Sequence, residues 1–316
     1  MKYGFGIDLG GTTVKLAYFN EEGQMLHHWE IPTNTADSGS HILPDIAAAV
    51  LGYLKENNIP REDIIGLGMG VPGPVSRTGV VNRCINLGWG VFNVNEALSA
   101  LTGFPVRAGN DANVAALGEC WKGGGQGYEN IVMATLGTGV GGGIVIDGKV
   151  LFGAHGSGGE IGHIVLNREE SLPCGCGKYG CVEQYCSATG IVRTAKRHLN
   201  RSRKPSSLRD LENLTCKDIF AAGAQGDELA NEILEQVYDQ LAEFLADVCC
   251  VVDPEVVVIG GGVSKAGTVL LDGIRRHMHK YVFHAVSPLE YALATLGNDA
   301  GAYGAFKLIL DQQGSR

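Results

Sequence analysis

With 316 residues, 45% of them hydrophobic and 19% charged, the chain has the composition of a folded protein of about two domains. Its formal net charge of −9 argues against nucleic acid as the main partner, because binding a phosphate backbone requires a basic surface. No apolar run approaches the ~18 residues that a membrane span needs, and the first residues show no signal-peptide pattern. We therefore expect a cytoplasmic protein without a membrane or nucleic-acid partner.

The cysteine content argues against a protein built on a disulfide framework. There are nine cysteines, an odd number, and disulfides are rare in a reducing compartment. We therefore do not interpret them as a disulfide framework. Cys186 and the cysteines outside the cluster described below are interpreted as small core residues.

Two stretches of similar pattern each predict a β-hairpin with a glycine- and threonine-rich tip. Residues 3–20 have apolar side chains at every second position after the turn, and residues 130–148 repeat the arrangement. This similarity suggests a duplicated domain. The glycine-rich stretch "WKGGGQGYEN" places the expected domain boundary near residues 117–129.

The other elements alternate between strands and helices, which favours an α/β fold with helices packed on mixed sheets. In chain order they are a helix over 42–57, a buried strand over 64–71, a strand that runs into a helix near residue 111, a long helix over 226–250, a strand, glycine turn and helix within 253–267, and a short helix over 300–311.

The glycine spacing in "GTGVGG" matches a dinucleotide-binding motif through Gly137, Gly139 and Gly142. That motif requires a helix directly after the glycines, whereas an alternating, β-branched strand follows here. We therefore reject it, and no P-loop sequence is present. A glycine- and threonine-rich hairpin tip can still bind phosphate through converging main-chain N–H groups.

Two segments place carboxylates at the ends of predicted strands. Asp8 ends the first strand and could hold Mg²⁺ near phosphates, although a turn-forming aspartate is the alternative. Asn110 and Asp111 lie at a strand-to-helix junction, where either could cap the helix. The functional alternative makes Asp111 a general base that accepts a proton from an attacking hydroxyl.

The segment "CGCGKYGC" predicts a structural zinc site. Cys174, Cys176 and Cys181, together with His163, supply a Cys₃His set whose ligands suit Zn²⁺ and exclude Mg²⁺. A redox centre would more commonly have the spacing C-x-x-C. The glycines around "GGEIGH" argue against a helical Glu-x-x-His metal motif there.

Taken together, the sequence motifs resemble those of a known family. The chain is similar to the ROK sugar kinases (repressor, open reading frame, kinase), and most closely to their bacterial ATP-dependent glucokinases. The resemblance runs nearly end to end. It rests on "DLGGTTVK", "GVPGPV", "INLGWG", "NDANVAALGE", "LGTGVGGGIV", "GSGGEIGH", "CGCGKYGCVE" and "VVIGGGVS", in the family's order.

The resemblance implies an α/β, actin-like (ribonuclease H-like) fold of two domains with a cleft between them. We assign residues 1–117 and about 300–316 to the N-terminal domain, and 118–299 to the C-terminal domain. The implied sugar ligands are Asn110, Asp111, Glu160, His163 and Glu183, with Asp111 as the catalytic base. The implied nucleotide-binding residues are Asp8, Gly10, Gly11, Thr12, Thr13, Gly137, Thr138, Gly139, Gly260, Gly261 and Gly262.

The implied activity is the ATP- and Mg²⁺-dependent phosphorylation of a hexose at its 6-hydroxyl, most closely of glucose, in a homodimer that carries structural Zn²⁺. Kinases for N-acetylmannosamine, N-acetylglucosamine, fructose or allose share this frame, and polyphosphate is an alternative donor. A sugar-sensing repressor of the same family is a further alternative. Such repressors carry a helix-turn-helix segment, for which we expect no room ahead of Asp8.

One basic stretch stands apart from the acidic background. Residues 193–210, "RTAKRHLNRSRKPSSLRD", are interpreted as a solvated helix end and loop. A positive field near a bound anion is the alternative, and we assign the stretch no role.

Overall fold

The computed structural model of the chain describes residues 1–314, which fall into two compact units. Unit 1 consists of residues 1–129, 143–159 and the chain from residue 295 onward. Unit 2 consists of residues 130–142 and 160–294. The domain limits expected from the sequence stay a prediction, and residues 315 and 316 of the segment 300–316 lie outside the described residues.

The strands follow one another in short hairpins and between helices. They are β1 Tyr3–Leu9, β2 Thr13–Asn20, β3 Met25–Pro32, β4 Ile64–Val71, β5 Val80–Cys84, β6 Trp89–Asn93, β7 Val106–Asn110, β8 Ile131–Leu136, β9 Val140–Ile146, β10 Lys149–Val150, β11 Val256–Gly260 and β12 Glu290–Leu293.

Ten helices accompany the strands in the described part of the chain. They are α1 Ala36–Gly39, α2 Ile42–Glu56, α3 Val94–Thr102, α4 Asp111–Lys122, α5 Glu183–Cys186, α6 Ala188–Arg201, α7 Cys216–Ala224, α8 Glu228–Val252, α9 Thr268–Met278 and α10 Ala300–Gly314. No helix among residues 1–314 is both long and apolar enough to cross a membrane.

Both large sheets are mixed, as expected. The sheet of unit 1 has the order β3-β2-β1-β4-β7, in which β1, β4 and β7 run parallel and β2 and β3 complete an antiparallel meander. The other five-stranded sheet has the order β10-β9-β8-β11-β12, with β11 parallel to both β8 and β12. Asp8, Val71 and Asn110 thus lie at or near the carboxyl ends of the three parallel strands of unit 1, where ligands commonly bind in α/β sheets.

Glycines allow the last helix, α10, to pack directly on the backbone of unit 1. A Cβ atom at Gly304 would lie 1.7 Å from the Val114 carbonyl oxygen on α4, and one at Gly118 would lie 2.2 Å from the Ala300 oxygen. Farther along α10, the Phe306 ring stacks on Phe19 of β2 with centroids 4.8 Å apart. The helix that begins at Asp111 therefore packs on α10 at close backbone contact, while α10 itself lies on the sheet.

The elements expected from the sequence are confirmed, with ends that shift by a few residues. The hairpins over 3–20 and 130–148 are β1–β2 and β8–β9, and a strand, β9, follows "GTGVGG". The helices expected over 42–57, 226–250 and 300–311 are α2, α8 and α10. The basic stretch forms most of α6 and a following loop that ends in a 3₁₀ turn, Ser207–Asp210, where Arg209 donates hydrogen bonds to the Leu199, Ser202 and Lys204 carbonyls.

The interpretation of the remaining cysteines as core residues is wrong for two of them. Cys250 is exposed and Cys216 is only partly buried, whereas Cys84, Cys120, Cys186 and Cys249 are buried. Cys249 faces the core from α8, and the next position is rotated by about 100° around the helix, so it faces solvent.

Candidate functional site

The first glycine turn lies between β1 and β2 in unit 1. The main-chain N–H of Gly10 donates to the Thr13 carbonyl at 3.0 Å, and the Thr33 hydroxyl donates to the Gly10 carbonyl at 2.7 Å. Gly11 and Thr12 are exposed at the tip. A Cβ atom at Gly11 would meet nothing within 4 Å, so the protein itself leaves the space beside this turn open. Such a turn can approach a phosphate closely with its main-chain N–H groups.

Asp8 stands directly before that turn. Its carboxylate lies 3.8 Å from Lys15 Nζ, and the same ammonium donates to the Asn298 carbonyl at 3.1 Å. Burial raises the pKa of Asp8, and the charge of Lys15 opposes that rise. The environment therefore disfavours an uncompensated negative charge, and a cation at this position would offset the cost. The carboxylate oxygens of Asp8 are hard ligands of the kind that Mg²⁺ prefers, so this position is compatible with Mg²⁺.

Asn110 and Asp111 occupy the junction of β7 and α4. The Asn110 side chain, only 7% of whose residue surface is exposed, accepts a hydrogen bond from the Asn113 N–H at 3.0 Å and donates one to the Gly73 carbonyl at 3.1 Å. The capping interpretation is therefore confirmed for Asn110. Asp111 Oδ1 accepts from the Ala112 N–H at 2.8 Å, at the positive end of the helix.

Asp8 and Asp111 both lie beside the carboxyl end of β4. A Cβ atom at Gly70 would be 3.6 Å from Asp111 Cα and 3.8 Å from Asp8 Oδ1. The residues expected to hold a metal ion near phosphate and to accept a proton are thus neighbours within unit 1. A Cβ atom at position 70 would lie at van der Waals distance from both residues.

The second glycine turn, between β8 and β9, belongs to unit 2. Gly137 N–H donates to the Gly139 carbonyl at 2.9 Å, and Thr138 is exposed at the tip. The start of α6 fixes the turn, because Ala188 N–H donates to the Gly137 carbonyl at 2.8 Å and the Thr189 hydroxyl donates to that of Thr138 at 2.7 Å. The sequence did not indicate this support.

Glu183 explains why position 139 is glycine. Its Oε2 accepts a hydrogen bond from the Val140 N–H at 3.1 Å, and a Cβ atom at Gly139 would lie 2.1 Å from the same oxygen. Its other oxygen accepts a hydrogen bond from Cys174 Sγ at 3.5 Å. Glu183 therefore touches both the second turn and the cysteine segment.

The three cysteines and His163 converge as a metal site requires. Their ligand atoms all lie within 4.8 Å of one another, with Cys176 Sγ and Cys181 Sγ 3.7 Å apart and Cys174 Sγ and His163 Nδ1 3.9 Å apart. Tetrahedral zinc with Zn–S bonds of about 2.3 Å implies ligand separations of about 3.8 Å. Two of the separations match this value, so the four residues are arranged as a Cys₃His zinc site requires.

His163 also faces Glu160 with its second ring nitrogen. Nε2 lies 3.9 Å from Glu160 Oε2, so the imidazole can bind a metal through Nδ1 while the other side faces a carboxylate. Only a single 3₁₀ turn, Ile161–His163, supports these residues, and no α-helix forms there. This agrees with the expectation drawn from the flanking glycines.

Gln184 stabilises the cysteine segment, and sequence reasoning missed it. The buried side chain accepts hydrogen bonds from the Gly180 and Cys181 N–H groups at 2.8 and 3.1 Å, and it donates to the Leu172 carbonyl at 2.9 Å. It ties both ends of the segment together. A glutamine next to Glu183 carries no sequence signal that distinguishes this role from an exposed one.

Glu170 is a second residue that the sequence did not single out. Its side chain is only 3% exposed and accepts a hydrogen bond from Tyr185 Oη at 2.7 Å, and Arg197 lies 3.1 Å from the carboxylate. Burial by itself would raise the pKa of Glu170, but these partners and the Leu172 N–H lower it to about 2. An ionised carboxylate therefore anchors the chain just before the first cysteine.

A cavity of about 330 Å³ in unit 2 brings several of these groups together. It is lined by Thr138 and Gly139 from the turn, by Cys174 and Glu183, and by Arg193. A further glycine turn of unit 2, Gly260–Gly262, begins at the final residue of β11. Gly261 has φ +81°, and a Cβ there would lie 2.5 Å from the Leu136 carbonyl oxygen, so this turn packs tightly beside the end of β8.

Comparison with known proteins relates the whole chain to one family. A sequence profile of the ROK family matches residues 4–312. A glucokinase of Halalkalibacterium halodurans is 42% identical over 98% of this chain and 96% of that protein.

Among solved structures, a ROK family glucokinase from Streptomyces griseus in complex with glucose and AMPPNP is 33% identical, with a TM-score of 0.73 over 97% of this chain and 98% of that chain. A ROK family transcriptional regulator is 26% identical, with a TM-score of 0.83 over 98% of this chain and 78% of that chain. The α/β fold with mixed sheets is thus the actin-like ATPase fold, as expected.

Proposed function

Because the chain belongs to the ROK family, we propose that it is an ATP-dependent glucokinase, a phosphotransferase that moves the γ-phosphoryl group of ATP to the 6-hydroxyl of glucose. The observation that carries the proposal is the extended similarity to a glucokinase along nearly the whole chain. Fold similarity alone does not separate a kinase from a regulator, since a regulator shares the same architecture. The residues of the site therefore bear the rest of the argument.

Asp111 is proposed as the general base. Phosphoryl transfer needs positioning and charge stabilisation more than covalent chemistry, and the base only has to accept the proton of the attacking hydroxyl. Asp111 is half-buried at the N-terminus of α4, with one oxygen engaged by the Ala112 N–H. The neighbouring Asn110 amide, fixed by Gly73 and Asn113, orients the same sugar.

Glu160, His163 and Glu183 are proposed as hydroxyl ligands of the sugar. Two of them are carboxylates, which accept hydrogen bonds from hydroxyl groups, and His163 offers an imidazole nitrogen on the side that faces Glu160. Glu183 is held by Val140, and His163 is held by the cysteine cluster. A ligand set fixed in this way orients one hydroxyl for attack without further loss of side-chain entropy.

The residues proposed to bind the nucleotide lie in or beside the glycine turns. Gly10, Gly11, Thr12 and Thr13 in unit 1, and Gly137, Thr138 and Gly139 in unit 2, are proposed to bind the phosphates through main-chain N–H and hydroxyl groups. The turn Gly260–Gly262 is proposed to pack against adenosine. Asp8 would hold Mg²⁺, which would offset charge on the phosphates.

Zinc is proposed as a structural ion bound by His163, Cys174, Cys176 and Cys181. The fit of their separations to a tetrahedron supports it, and closed Cys₃His sites are structural. The ion would join the segments that carry Glu160 and Glu183. It takes no part in the chemical step.

The test is ADP release from the purified protein with ATP and a panel of glucose, N-acetylmannosamine, N-acetylglucosamine, fructose and allose. Turnover is expected to be fastest, at subsaturating sugar, with glucose. Preference for another sugar would contradict the substrate, and turnover with none of them, despite sugar binding, would favour a regulator. Polyphosphate replaces ATP in a parallel series.

Two further properties implied by the family stay predictions. A homodimer is tested by light scattering on the eluting protein, and a monomer would contradict it. A cytoplasmic location is tested by fractionation of the source cells.

A further inference from the structure

A cavity of about 470 Å³ in unit 1 lies apart from the residues proposed for sugar and nucleotide. Three cationic side chains line it: Arg77 from the turn before β5, Arg107 from β7 and Lys149 from β10. Its volume falls within the range of small-molecule sites, which is about 300–1,000 Å³. In a chain of net charge −9, three cations around one cavity are a local departure from the acidic background.

Among residues 1–314, these cations are not paired with carboxylates. In the part of the chain that the structure describes, none of the three forms a hydrogen bond or an ion pair with a carboxylate. The one carboxylate on the cavity wall, that of Asp311, lies 2.6 Å from Lys307 Nζ and is therefore partly neutralised. Burial lowers the pKa of Arg107, and the charge of Arg77 lowers it further. The two guanidinium groups are thus close enough to repel each other.

Apart from Asp311 and Gln312, the rest of the wall is apolar. Leu117 of α4, Phe152 after β10 and Leu308 of α10 line the cavity. A Cβ atom at Gly109 would lie 3.4 Å from the Phe152 ring and 3.5 Å from Leu308, so these side chains pack against the β7 backbone. Arg107 is half-buried beside this apolar wall, so attraction between its guanidinium and an anion is screened less by water than at the exposed Arg77 and Lys149.

We propose that this cavity binds a small organic anion with at least two negative charges, a phosphate monoester or a dicarboxylate. Arginine forks pair with either group through parallel N–H···O bonds, and Lys149 adds a third positive charge. The apolar floor fits the carbon skeleton of such a molecule. The site is separate from the turns proposed to bind the phosphates of ATP.

The experiment is isothermal titration calorimetry of the full chain at constant ionic strength, with glycerol 3-phosphate and with succinate as probes. Glucose, Mg²⁺ and AMPPNP are present at saturation, so that the phosphate-binding turns are occupied. We expect one-to-one binding of at least one probe, and preference for one identifies a phosphoryl or a carboxylate ligand. Binding by neither probe would overturn the proposal.

Variants then locate the binding. Arg77→Gln/Arg107→Gln is expected to weaken it at least about tenfold, because each arginine supplies charge-assisted hydrogen bonds. Arg77→Gln alone, at an exposed position, is expected to weaken it less. The control Arg203→Gln removes an exposed cation of unit 2 and should leave it unchanged. Unaltered affinity in both Arg77 variants would place the anion elsewhere and refute the assignment.

Discussion

The Glu183 carboxylate accepts a hydrogen bond from the Val140 main-chain N–H at 3.1 Å, immediately after the Gly137–Gly139 turn. The same carboxylate lies 3.5 Å from Cys174 Sγ, which donates a hydrogen bond to it while the thiol is protonated and no metal is bound. One side chain therefore connects a turn proposed to bind phosphate with the segment proposed to bind zinc and sugar. A change at position 183 should alter the kinetics toward both substrates.

Glu183→Ala and Glu183→Gln separate the structural from the ligand role. The alanine variant leaves the buried Val140 N–H without its partner, so its free energy of unfolding should fall by about 1–2 kcal/mol. The glutamine variant keeps an amide oxygen for that N–H and should be more stable, yet it replaces a charged sugar ligand. We expect a raised KM for glucose in both, and a raised KM for ATP chiefly in Glu183→Ala. Equal denaturant midpoints for the two variants would contradict the role of the Val140 bond.

Asp111→Ala should abolish turnover while glucose still binds. Loss of a general base typically lowers kcat by about 10²–10⁴-fold, whereas the other proposed sugar ligands remain. Steady-state ADP release and calorimetric titration of glucose measure the two effects. Asp45→Ala is the matched control, because Asp45 also lies in the first turn of a helix. Near-normal kcat in Asp111→Ala would remove Asp111 as the base.

Purified protein should contain about one zinc ion per chain. Cys176→Ser removes one ligand of the set and should lower the zinc content and raise the KM for glucose, because the segments of Glu160 and Glu183 lose their common anchor. Atomic absorption and sugar titration provide the two measurements. Cys250→Ser, at an exposed cysteine outside the cluster, should change neither. A folded, fully active protein without metal would argue against the site.

Glu170 should make the protein sensitive to acid. Its pKa falls from an ordinary value of 4.5 to about 2 in the folded state, so the folded state binds this proton less readily than the unfolded chain does. The resulting stabilisation, on the order of 3 kcal/mol, is present above about pH 4.5 and is lost as the pH falls toward 2. Denaturant unfolding at pH 6, 4 and 3 measures it. Glu170→Gln should be less stable at pH 6 and lose less stability on acidification; parallel pH curves would disprove the assignment.

Gly304→Ala should destabilise unit 1. The added methyl group would meet the Val114 carbonyl at 1.7 Å and force α4 and α10 apart, which is expected to cost about 1–3 kcal/mol or more. Gly52→Ala is the matched control within helix α2, where an added Cβ meets nothing within 4 Å and should stabilise by about 0.5–1 kcal/mol. Thermal unfolding of both variants tests the contrast, and a similar shift in the two would refute it.

Local patterns predicted much of the fold because they report the same physical requirements that the structure meets. The apolar spacing from Ile42 to Leu54 predicts α2, whose buried residues include both. The β-branched run after Gly139 predicts β9 and correctly excludes a dinucleotide-binding helix. For Asn110 the local preference for capping was also correct, since its side chain accepts the Asn113 N–H.

Long-range support was not predictable in the same way. The Gln184–Leu172 and Glu170–Tyr185 hydrogen bonds join residues brought close by folding, and neither Gln184 nor Glu170 belongs to a motif with a fixed spacing. The convergence of Asp8 and Asp111 beside Gly70 depends on the strand order β1-β4-β7, which periodicity does not encode. The exposed Cys250 shows the converse limit, because residue type alone did not indicate which side of α8 it occupies.

The position of α10 in the chain has a consequence for biosynthesis. Unit 1 contains the first 129 residues, yet its core includes Phe306, and α4 packs on Gly304. All of unit 2 leaves the ribosome before that helix does. The apolar surfaces of the β1–β2 hairpin and of α4 that α10 covers therefore stay exposed until translation is nearly finished. Chains truncated before residue 300 should keep these surfaces exposed, and we expect chaperones and proteases to recognise them.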